Sequence, residues 1–299
     1  MDALPPIFVT GPTGCGKSAV AVALCGLLGN AEIVSADAYQ VYRGMETLTA
    51  APTAAERACV PHHLLSFLDP SASWDAASHA RRAEEAIAAV AARGNRAVVV
   101  GGSGLYVKFI SHGVSPAPPS DPALRAELER LPLEELAARL RALDPEGAAA
   151  TPLQNPRYVV RNLEIVMLGG KPLAHWRANW EPEPRGPGAA LARETDDLDM
   201  RISIRAGRML DEGAVEEVRR LGQLSATAEQ TLGLKQIRAL LNGEMSLAKC
   251  AEAIALATRQ YAKRQRTWLR RERWLLPIAA APASSPVEIA RAIAARLAL

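Results

Sequence analysis

Eight residues near the start of the chain have the types and the spacing of a phosphate-binding loop. The stretch GPTGCGKS has glycines at its first and sixth places and ends in Lys-Ser, which matches the phosphate-loop pattern. Glycines let backbone N–H groups converge on a phosphate, Lys17 adds a compact cation, and Ser18 adds a hydroxyl suited to a phosphate-bound Mg²⁺. The pattern predicts a polyphosphate ligand held by the whole stretch: Gly11, Pro12, Thr13, Gly14, Cys15, Gly16, Lys17 and Ser18.

A carboxylate close to this loop would decide the chemistry. Phosphate-loop enzymes that cleave nucleotides need an acid near the end of a core strand to hold Mg²⁺ through water. Here the run RAVVVGGSGLY has Gly101 and Gly102 where that acid is expected, and Asp37 is the obvious remaining carboxylate. Because strands of such sheets point their carboxyl ends at the phosphate site, Asp37 is predicted to lie near the loop. A nucleotide kinase with Asp37 as its base stays possible on these residues.

A basic cluster lies near the end of the chain, where seven basic residues and one acid, Glu272, fall between Arg259 and Arg273. In a helix the steps of four and three place one set of cations on one face: Arg259, Lys263, Arg266, Arg270 and Arg273. Steps of seven place an apolar set on roughly the opposite face: Ile254, Tyr261, Trp268 and Leu275. A solvated charged face is the alternative, but few acids are present to pair with these cations, so the pattern favours contact with phosphate or nucleic acid.

The elements that would position these residues follow from the apolar periodicity. Runs at 7–9, 32–35 and 96–100 are predicted strands, and the stretch after the loop and the stretch 75–93 are predicted helices. Strands alternating with helices predict an α/β fold with a parallel, three-layered, phosphate-loop core. Proline-rich breaks at 115–122 and 180–188 enclose a mainly helical stretch. We therefore predict a phosphate-loop core of residues 1–114 and 189–299, with basic C-terminal helices, and a helical insertion of residues 115–188.

Composition limits the class of protein. With 299 residues, 49% of them hydrophobic and 22% charged, the chain can bury a full core. It has no apolar run near the roughly 18 residues of a membrane span, and its first residues lack the order of a signal peptide. We expect a cytoplasmic protein without a membrane partner. The four cysteines are far apart, so neither a zinc site nor a disulfide framework is predicted.

Several stretches, in order from residue 11 to residue 270, resemble those of bacterial tRNA dimethylallyltransferases. They are GPTGCGKS, VSADAYQVYRGM, APT, VGGSGLY, NPRYVVRNLEI, RISIR, LGLKQ and TRQYAKRQRTWLR. The last is specific by itself, whereas the phosphate loop is not. The sequence departs from the family pattern at Ala38 (Ser in the family), Leu48 (Gly), Ala51 (Lys), Ser103 (Thr) and Thr151 (His). Ser103 keeps a hydroxyl, so these changes are not expected to abolish activity.

The resemblance implies a reaction. A dimethylallyl group would pass from dimethylallyl diphosphate to N6 of adenosine 37 in the anticodon loop of tRNA, and diphosphate would be released. By residue, the resemblance implies that Asp37 is the general base, that Ser103 assists at the reaction centre, and that Arg205 joins the phosphate loop in binding diphosphate. Mg²⁺ is the implied cofactor, near the Ser18 hydroxyl. We expect the protein to act as a monomer.

The acceptor must be flipped out of the anticodon loop to reach such a site. The resemblance and the basic cluster together predict contacts with the tRNA anticodon stem–loop from Asp37, Ala38, Tyr39, Gln40, Ser103, Arg125, Arg157, Arg161, Arg259, Lys263, Arg266 and Arg270. Arg259 and Lys263 could instead reach diphosphate.

Two other functions stay open beside tRNA prenylation. An adenylate isopentenyltransferase acting on AMP, ADP or ATP is one, although a mononucleotide needs no long basic surface. A noncatalytic RNA-binding protein is the other, against which the intact Lys17, Ser18 and Asp37 argue.

Overall fold

A computed structural model describes residues 4–180 and 183–299. Within these ranges a single sheet has six strands in the order β3-β2-β4-β1-β5-β6, and every neighbouring pair is parallel. The strands are β1 (Ile7–Thr10), β2 (Ala31–Ser35), β3 (His62–His63), β4 (Arg96–Gly101), β5 (Gly188–Ala192) and β6 (Leu275–Ala279). The predicted α/β fold with a parallel sheet is confirmed.

Helices of the sheet-bearing part are α1 (Lys17–Leu28), α2 (Ala54–Cys59), α3 (Ala76–Ala92), α4 (Gly104–His112), α10 (Thr195–Asp211), α11 (Ala214–Arg220), α12 (Leu234–Leu241), α13 (Leu247–Leu269) and α14 (Pro286–Leu297). A short 3-10 helix lies at Ala228–Gln230. Five further helices, α5 (Pro122–Leu128), α6 (Leu133–Leu143), α7 (Pro145–Ala149), α8 (Pro156–Gly169) and α9 (Leu173–Ala178), lie between α4 and β5. No helix of the described ranges is long and apolar enough to cross a membrane.

Both faces of the sheet are buried, which explains why its strands are continuous apolar runs. Side chains alternate along β1, so that Ile7 and Val9 join a core cluster with residues of α1, α10 and α14. Phe8, between them, joins a second cluster with residues of α3 and α4 on the other face. The carboxyl ends of β1, β2 and β4 therefore meet at one edge of a three-layered structure.

The chain divides into two compact units, residues 1–111 with 184–299, and residues 112–183. The second unit has its own core of leucine and valine side chains from α5 to α9. Its buried Glu164 accepts hydrogen bonds from Ser120 and from the backbone of Asp121. Asp121 and Asn155 cap the starts of α5 and α8. The starts of these two helices are thus fixed by a local polar side chain.

The second predicted boundary of the insertion falls inside a strand. The predicted insertion ends at Gly188, whereas Gly188 is the first residue of β5. A Cβ at this position would lie 2.5 Å from side-chain atoms of both Trp274 and Leu275, so the glycine admits the neighbouring strand. The proline-rich composition of residues 180–188 predicts a break between elements, so the start of this strand was not predicted. Glu181 and Pro182, in the same predicted break, lie outside the described residues.

The predicted basic helix ends earlier than its spacing suggested. Helix α13 ends at Leu269, and Arg270 is its C-cap. Arg273 and Leu275 therefore do not continue the helical faces, because Leu275 begins β6 and pairs with Gly188. The prediction that Arg273 shares the helical face is wrong.

Candidate active site

The stretch Gly11 to Gly16 forms a tight loop between β1 and α1. Gly14 and Gly16 have φ angles of +86° and +95°, which L side chains rarely adopt. A Cβ at Gly14 would also lie 3.0 Å from Ile202. Cys15 is fully buried in the core, so its thiol fills space beneath the loop. The local geometry thus requires glycine at Gly16, the sixth place of the phosphate-loop pattern, and also at Gly14, which the pattern leaves open.

Basic side chains surround this loop. Their hydrogen bonds are Lys17 Nζ to Pro12 O (3.0 Å), Arg205 Nη2 to Thr13 Oγ1 (2.6 Å), Arg201 Nε to Gly14 O (3.0 Å) and Arg193 Nε to Cys15 O (3.2 Å). Arg193 is neutralised by Asp197. Lys17 and Arg205 form no salt bridge with any described residue, so their charges remain available to an anion. Burial lowers the pKa of the Arg205 guanidinium, and the nearby Asp37 carboxylate opposes this shift.

Asp37 follows β2 at the same edge of the sheet. Its Oδ1 accepts hydrogen bonds from the backbone N–H groups of Tyr39 (2.9 Å) and Gln40 (3.4 Å). This turn fixes the carboxylate, which is half-buried. Among the described residues no hydrogen bond reaches Oδ2. Asp37 therefore keeps one oxygen able to accept a proton.

Ser103 lies directly beside the Asp37 turn. Its side chain is almost fully buried, and its Oγ accepts a hydrogen bond from the N–H of Ala38 at 3.3 Å. The hydroxyl of Tyr261, on α13, is 3.4 Å from the same Oγ. Burial raises the pKa of Tyr261, and Asp37 raises it further, so the phenol stays protonated. The two predicted catalytic residues are thus in adjacent turns that share a hydrogen bond.

Gln265 is a site residue that the sequence analysis missed. It is 6% exposed, and its Oε1 accepts a hydrogen bond from Thr13 N–H while its Nε2 donates one to Gly102 O, each at 2.8 Å. The side chain therefore joins the phosphate loop to the turn that carries Ser103. The stretch TRQYAKRQRTWLR contains it, but its predicted roles fall on the basic residues and on the apolar Tyr261 and Trp268.

Two of the predicted tRNA contacts point inward. Gln40 donates to the carbonyls of Ala50 (3.1 Å) and Thr49 (3.4 Å), so its amide holds its own loop. The methyl group of Ala38 is buried in a small cluster with Tyr106. The neighbouring Tyr39 is half-buried. The side chains of Gln40 and Ala38 are thus occupied by contacts within the protein.

The predicted helical cations line one groove between α10 and α13. This basic groove has a volume of about 470 Å³, and its cations are Arg259, Lys263, Arg266 and Arg270. Arg259 donates to Ser203 Oγ at 3.0 Å and Arg266 to Thr195 Oγ1 at 2.7 Å. Both partners are neutral hydroxyls on α10. Asp199 also lines the groove, but no salt bridge among the described residues joins it to the four cations, so the groove keeps a net positive charge.

The predicted cations of the second unit differ in their surroundings. Arg125 pairs with Glu129 at 2.9 Å, and Arg157 is exposed on α8. Arg161 donates to the buried Glu164 at 2.8 Å and to Pro118 O at 2.6 Å. Arg161 thus neutralises a buried carboxylate within its own unit. Its predicted contact with tRNA stays a prediction, as do those of Arg125 and Arg157.

The sequence also matches known proteins over most of its length. The family model described as IPP transferase matches residues 40–272. A tRNA dimethylallyltransferase from Akkermansia muciniphila is 56% identical over 291 residues, which cover 97% of each chain. The chain belongs to the IPP transferase family. The predicted resemblance is thereby confirmed.

Other members of the IPP transferase family extend the match. A tRNA dimethylallyltransferase from Anaeromyxobacter sp. (strain K) is 44% identical over 285 residues, or 91% of this chain and 92% of that protein. The crystal structure of the full-length tRNA isopentenylpyrophosphate transferase from Bacillus halodurans has a TM-score of 0.71 and 32% identity, covering 98% of this chain and 97% of that chain. The likeness therefore includes both compact units. The roles of single residues stay predictions.

Proposed function

We propose that this chain transfers a dimethylallyl group from dimethylallyl diphosphate to N6 of adenosine 37 in the anticodon loop of tRNA, releasing diphosphate. One observation carries the proposal. Asp37 follows β2, Ser103 follows β4 and the phosphate loop follows β1, and these strands are adjacent in the order β2-β4-β1. A proton acceptor and an anion-binding loop thus lie at one edge of the sheet. The names of the relatives support tRNA as the acceptor.

The diphosphate would bind where the loop N–H groups converge. As the allylic carbon–oxygen bond breaks, both bonding electrons leave with diphosphate, whose negative charge increases. Lys17 and Arg205 stabilise that charge, because neither is neutralised by a carboxylate among the described residues. Such stabilisation lowers the barrier more than it strengthens ground-state binding.

Magnesium is the proposed cofactor, and the residues near the loop can be compared with the ligands that Mg²⁺ commonly takes. The described residues include no group of three or more His, Cys, Asp and Glu side chains that could hold a metal. Mg²⁺ commonly keeps several waters and binds substrate phosphates with few protein ligands. The Ser18 hydroxyl at the start of α1 fits that pattern. When bound, the ion would supply further positive charge to the departing diphosphate.

The Asp37 carboxylate would act as the base. The N6 amine forms the new bond to the allylic carbon and loses a proton, which Asp37 Oδ2 accepts. A base of this kind contributes roughly 10²- to 10⁴-fold in rate. Ser103 Oγ, 3.3 Å from the N–H of Ala38, holds the turn that presents the carboxylate.

The basic groove would contact tRNA phosphates. A mononucleotide acceptor has too few phosphates to use a groove lined by four cations, Arg259, Lys263, Arg266 and Arg270. This surface therefore favours tRNA over the adenylate alternative. We also propose that the protein acts as a monomer in the cytoplasm.

Radiolabelled dimethylallyl diphosphate, incubated with tRNA or with AMP, tests the proposal. We expect label in tRNA and none in AMP, and nucleoside analysis should place it on N6-prenylated adenosine. The control is the same tRNA transcribed with guanosine at position 37, which should remain unlabelled. Comparable labelling of AMP would favour the adenylate alternative, and no labelling of either acceptor would contradict the proposed reaction.

A further inference from the structure

The end of β4 has no room for a metal-holding carboxylate. A Cβ at Gly101 would lie 2.2 Å from Ala36 O, and one at Gly102 would lie 2.7 Å from Gly11 O. Real Cβ atoms essentially never come this close to backbone atoms. The strand acid of nucleotide-cleaving phosphate-loop enzymes is therefore excluded at both positions by contact with backbone. A metal at Ser18 needs its outer hydrogen-bond acceptor elsewhere.

A small cavity lined by four polar and four apolar residues lies on the α1 side of the sheet, next to the phosphate loop. It measures about 20 Å³, and its polar lining comes from Ser18, Ser35, Gln40 and His62. A cavity of more than roughly 10–15 Å³ can hold one water if at least two polar groups face it. This cavity meets both conditions.

His62, which lines this cavity, has an unused hydrogen-bond acceptor. Its Nδ1 lies 2.7 Å from Val60 O, so Nδ1 carries the hydrogen and donates it to that carbonyl. Nε2 is then the bare ring nitrogen. It is buried and has no hydrogen-bond partner within the described ranges. A buried polar atom without a partner destabilises the folded state, and a bound water would remove that penalty.

The other polar groups that line the cavity can supply the remaining hydrogen-bond partners of such a water. Gln40 uses its amide hydrogens on the Ala50 and Thr49 carbonyls, and its Oε1 accepts from Ser35 Oγ at 3.4 Å. Ser35 Oγ therefore keeps lone pairs for an incoming hydrogen. A water can donate one hydrogen to His62 Nε2 and the other to Ser35 Oγ. Its own lone pair can accept the hydroxyl hydrogen of Ser18.

We propose that this cavity holds one ordered water that joins the Ser18 hydroxyl to His62 Nε2. His62 thereby becomes the outer acceptor that replaces a strand carboxylate, a role that rests on the proposed magnesium site. An oxygen bound to a divalent cation becomes a stronger hydrogen-bond donor. His62 then orients Ser18 through the water and does not touch the substrate. It is a positioning residue.

Two substitutions separate the nitrogens of His62. His62→Asn keeps a donor for Val60 O and deletes the unpartnered Nε2, whereas His62→Gln extends an amide to about the place of Nε2. His63→Gln is the matched control on the same strand, because the His63 ring contacts Glu32 at 2.7 Å. Ser18→Ala tests the metal site itself. Circular dichroism melts establish that each variant folds.

The measurement is Mn²⁺ affinity in the presence of inorganic diphosphate, followed by electron paramagnetic resonance, with no turnover required. Loss of an outer-shell partner typically costs 10- to 100-fold in metal affinity, so we expect His62→Asn to bind Mn²⁺ about 10-fold more weakly. His62→Gln and His63→Gln should stay within about twofold of the parent, and Ser18→Ala should bind at least as weakly as His62→Asn. A high-resolution crystal structure of the parent should contain the water.

The outcomes distinguish the role of His62 from the metal site at Ser18. Parental affinity in His62→Asn with weak binding in Ser18→Ala would overturn the role of His62 and leave the metal at Ser18. Parental affinity in Ser18→Ala would refute the metal site, and the inference with it. An empty cavity in the crystal structure would also overturn the inference.

Discussion

The side chain of Gln265 accepts a hydrogen bond from the backbone N–H of Thr13 at 2.8 Å, across 252 residues of sequence. Helix α13 therefore holds the phosphate loop with a neutral group while it presents Arg266 to the basic groove. The conformation of the diphosphate site thus depends on a helix that is proposed to contact tRNA on another face.

Gln265→Ala should impair use of dimethylallyl diphosphate. The change leaves Thr13 N–H and Gly102 O without partners, at a cost of about 1–3 kcal/mol each. We expect the KM for dimethylallyl diphosphate to rise about 10-fold and the melting temperature to fall. Steady-state kinetics and thermal melts measure both, with Gln230→Ala, at an exposed glutamine, as the control. An unchanged KM would show that the loop keeps its shape without this contact.

Asp37→Asn tests the proposed base. Asparagine retains an oxygen that can accept the N–H bonds of Tyr39 and Gln40, but it does not accept a proton from N6. Turnover should fall by roughly 10²- to 10⁴-fold, while binding of diphosphate and tRNA persists. Single-turnover kinetics and binding isotherms measure the two effects. Turnover within a few-fold of the parent would contradict the assignment.

Removing a loop cation should act on one substrate only. Lys17→Ala or Arg205→Ala should weaken binding of dimethylallyl diphosphate about 10- to 100-fold, since a hydrogen bond to a charged group contributes about 1.5–3 kcal/mol. Affinity for tRNA should change little. Arg208→Ala, which removes an exposed arginine paired with Glu212, is the control on α10. Equal loss of affinity for both substrates would indicate misfolding or a misassigned site.

If the basic groove contacts tRNA phosphates, removing its cations should weaken the salt dependence of tRNA binding. Each lost phosphate contact is expected to flatten the slope of log affinity against log salt by about 0.7–0.9. Arg266→Ala with Arg270→Ala should therefore flatten it by about 1.5. Filter binding over a salt series gives the slope for the parent, the double variant and Arg208→Ala. If the double variant matches the parent, RNA does not use the groove and the adenylate alternative returns.

Glu32 should make stability fall in acid. Hydrogen bonding to Arg93 is the largest cause that lowers its pKa to about 2, helped by Asn95 and His63 and opposed by burial. Because the folded pKa lies below the ordinary value of 4.5, this stabilisation is complete above pH 4.5 and is lost as pH falls toward 2. Allowing for the exposed side of Arg93, it amounts to about 2 kcal/mol.

Denaturant unfolding of the parent and of Glu32→Gln across pH 5 to pH 3 checks this expectation. The parent should lose its advantage over the variant as the pH falls. The same pH dependence in both proteins would show that Glu32 is not the group that titrates.

Sequence alone predicted the features whose signal is local. The phosphate loop, the strand before Asp37 and the cationic face of α13 each follow from a pattern within about 15 residues. The end of α13 was not predicted because Leu275 pairs with Gly188 in the sheet, and Gly188 is distant in sequence. Gln265 was missed for a related reason, since a neutral residue among basic ones gives no signal until Thr13 and Gly102 are placed beside it.

The crowding at Gly102 has a consequence for chimeric enzymes. An added Cβ would meet Gly11 O at 2.7 Å and Gln265 Nε2 at 2.5 Å, so three distant segments converge within one methyl group of each other. These segments are interchangeable only as a set. A graft of helix α13 from a relative must therefore bring a glutamine of the same reach at position 265, or replace the phosphate loop and the double-glycine turn with it.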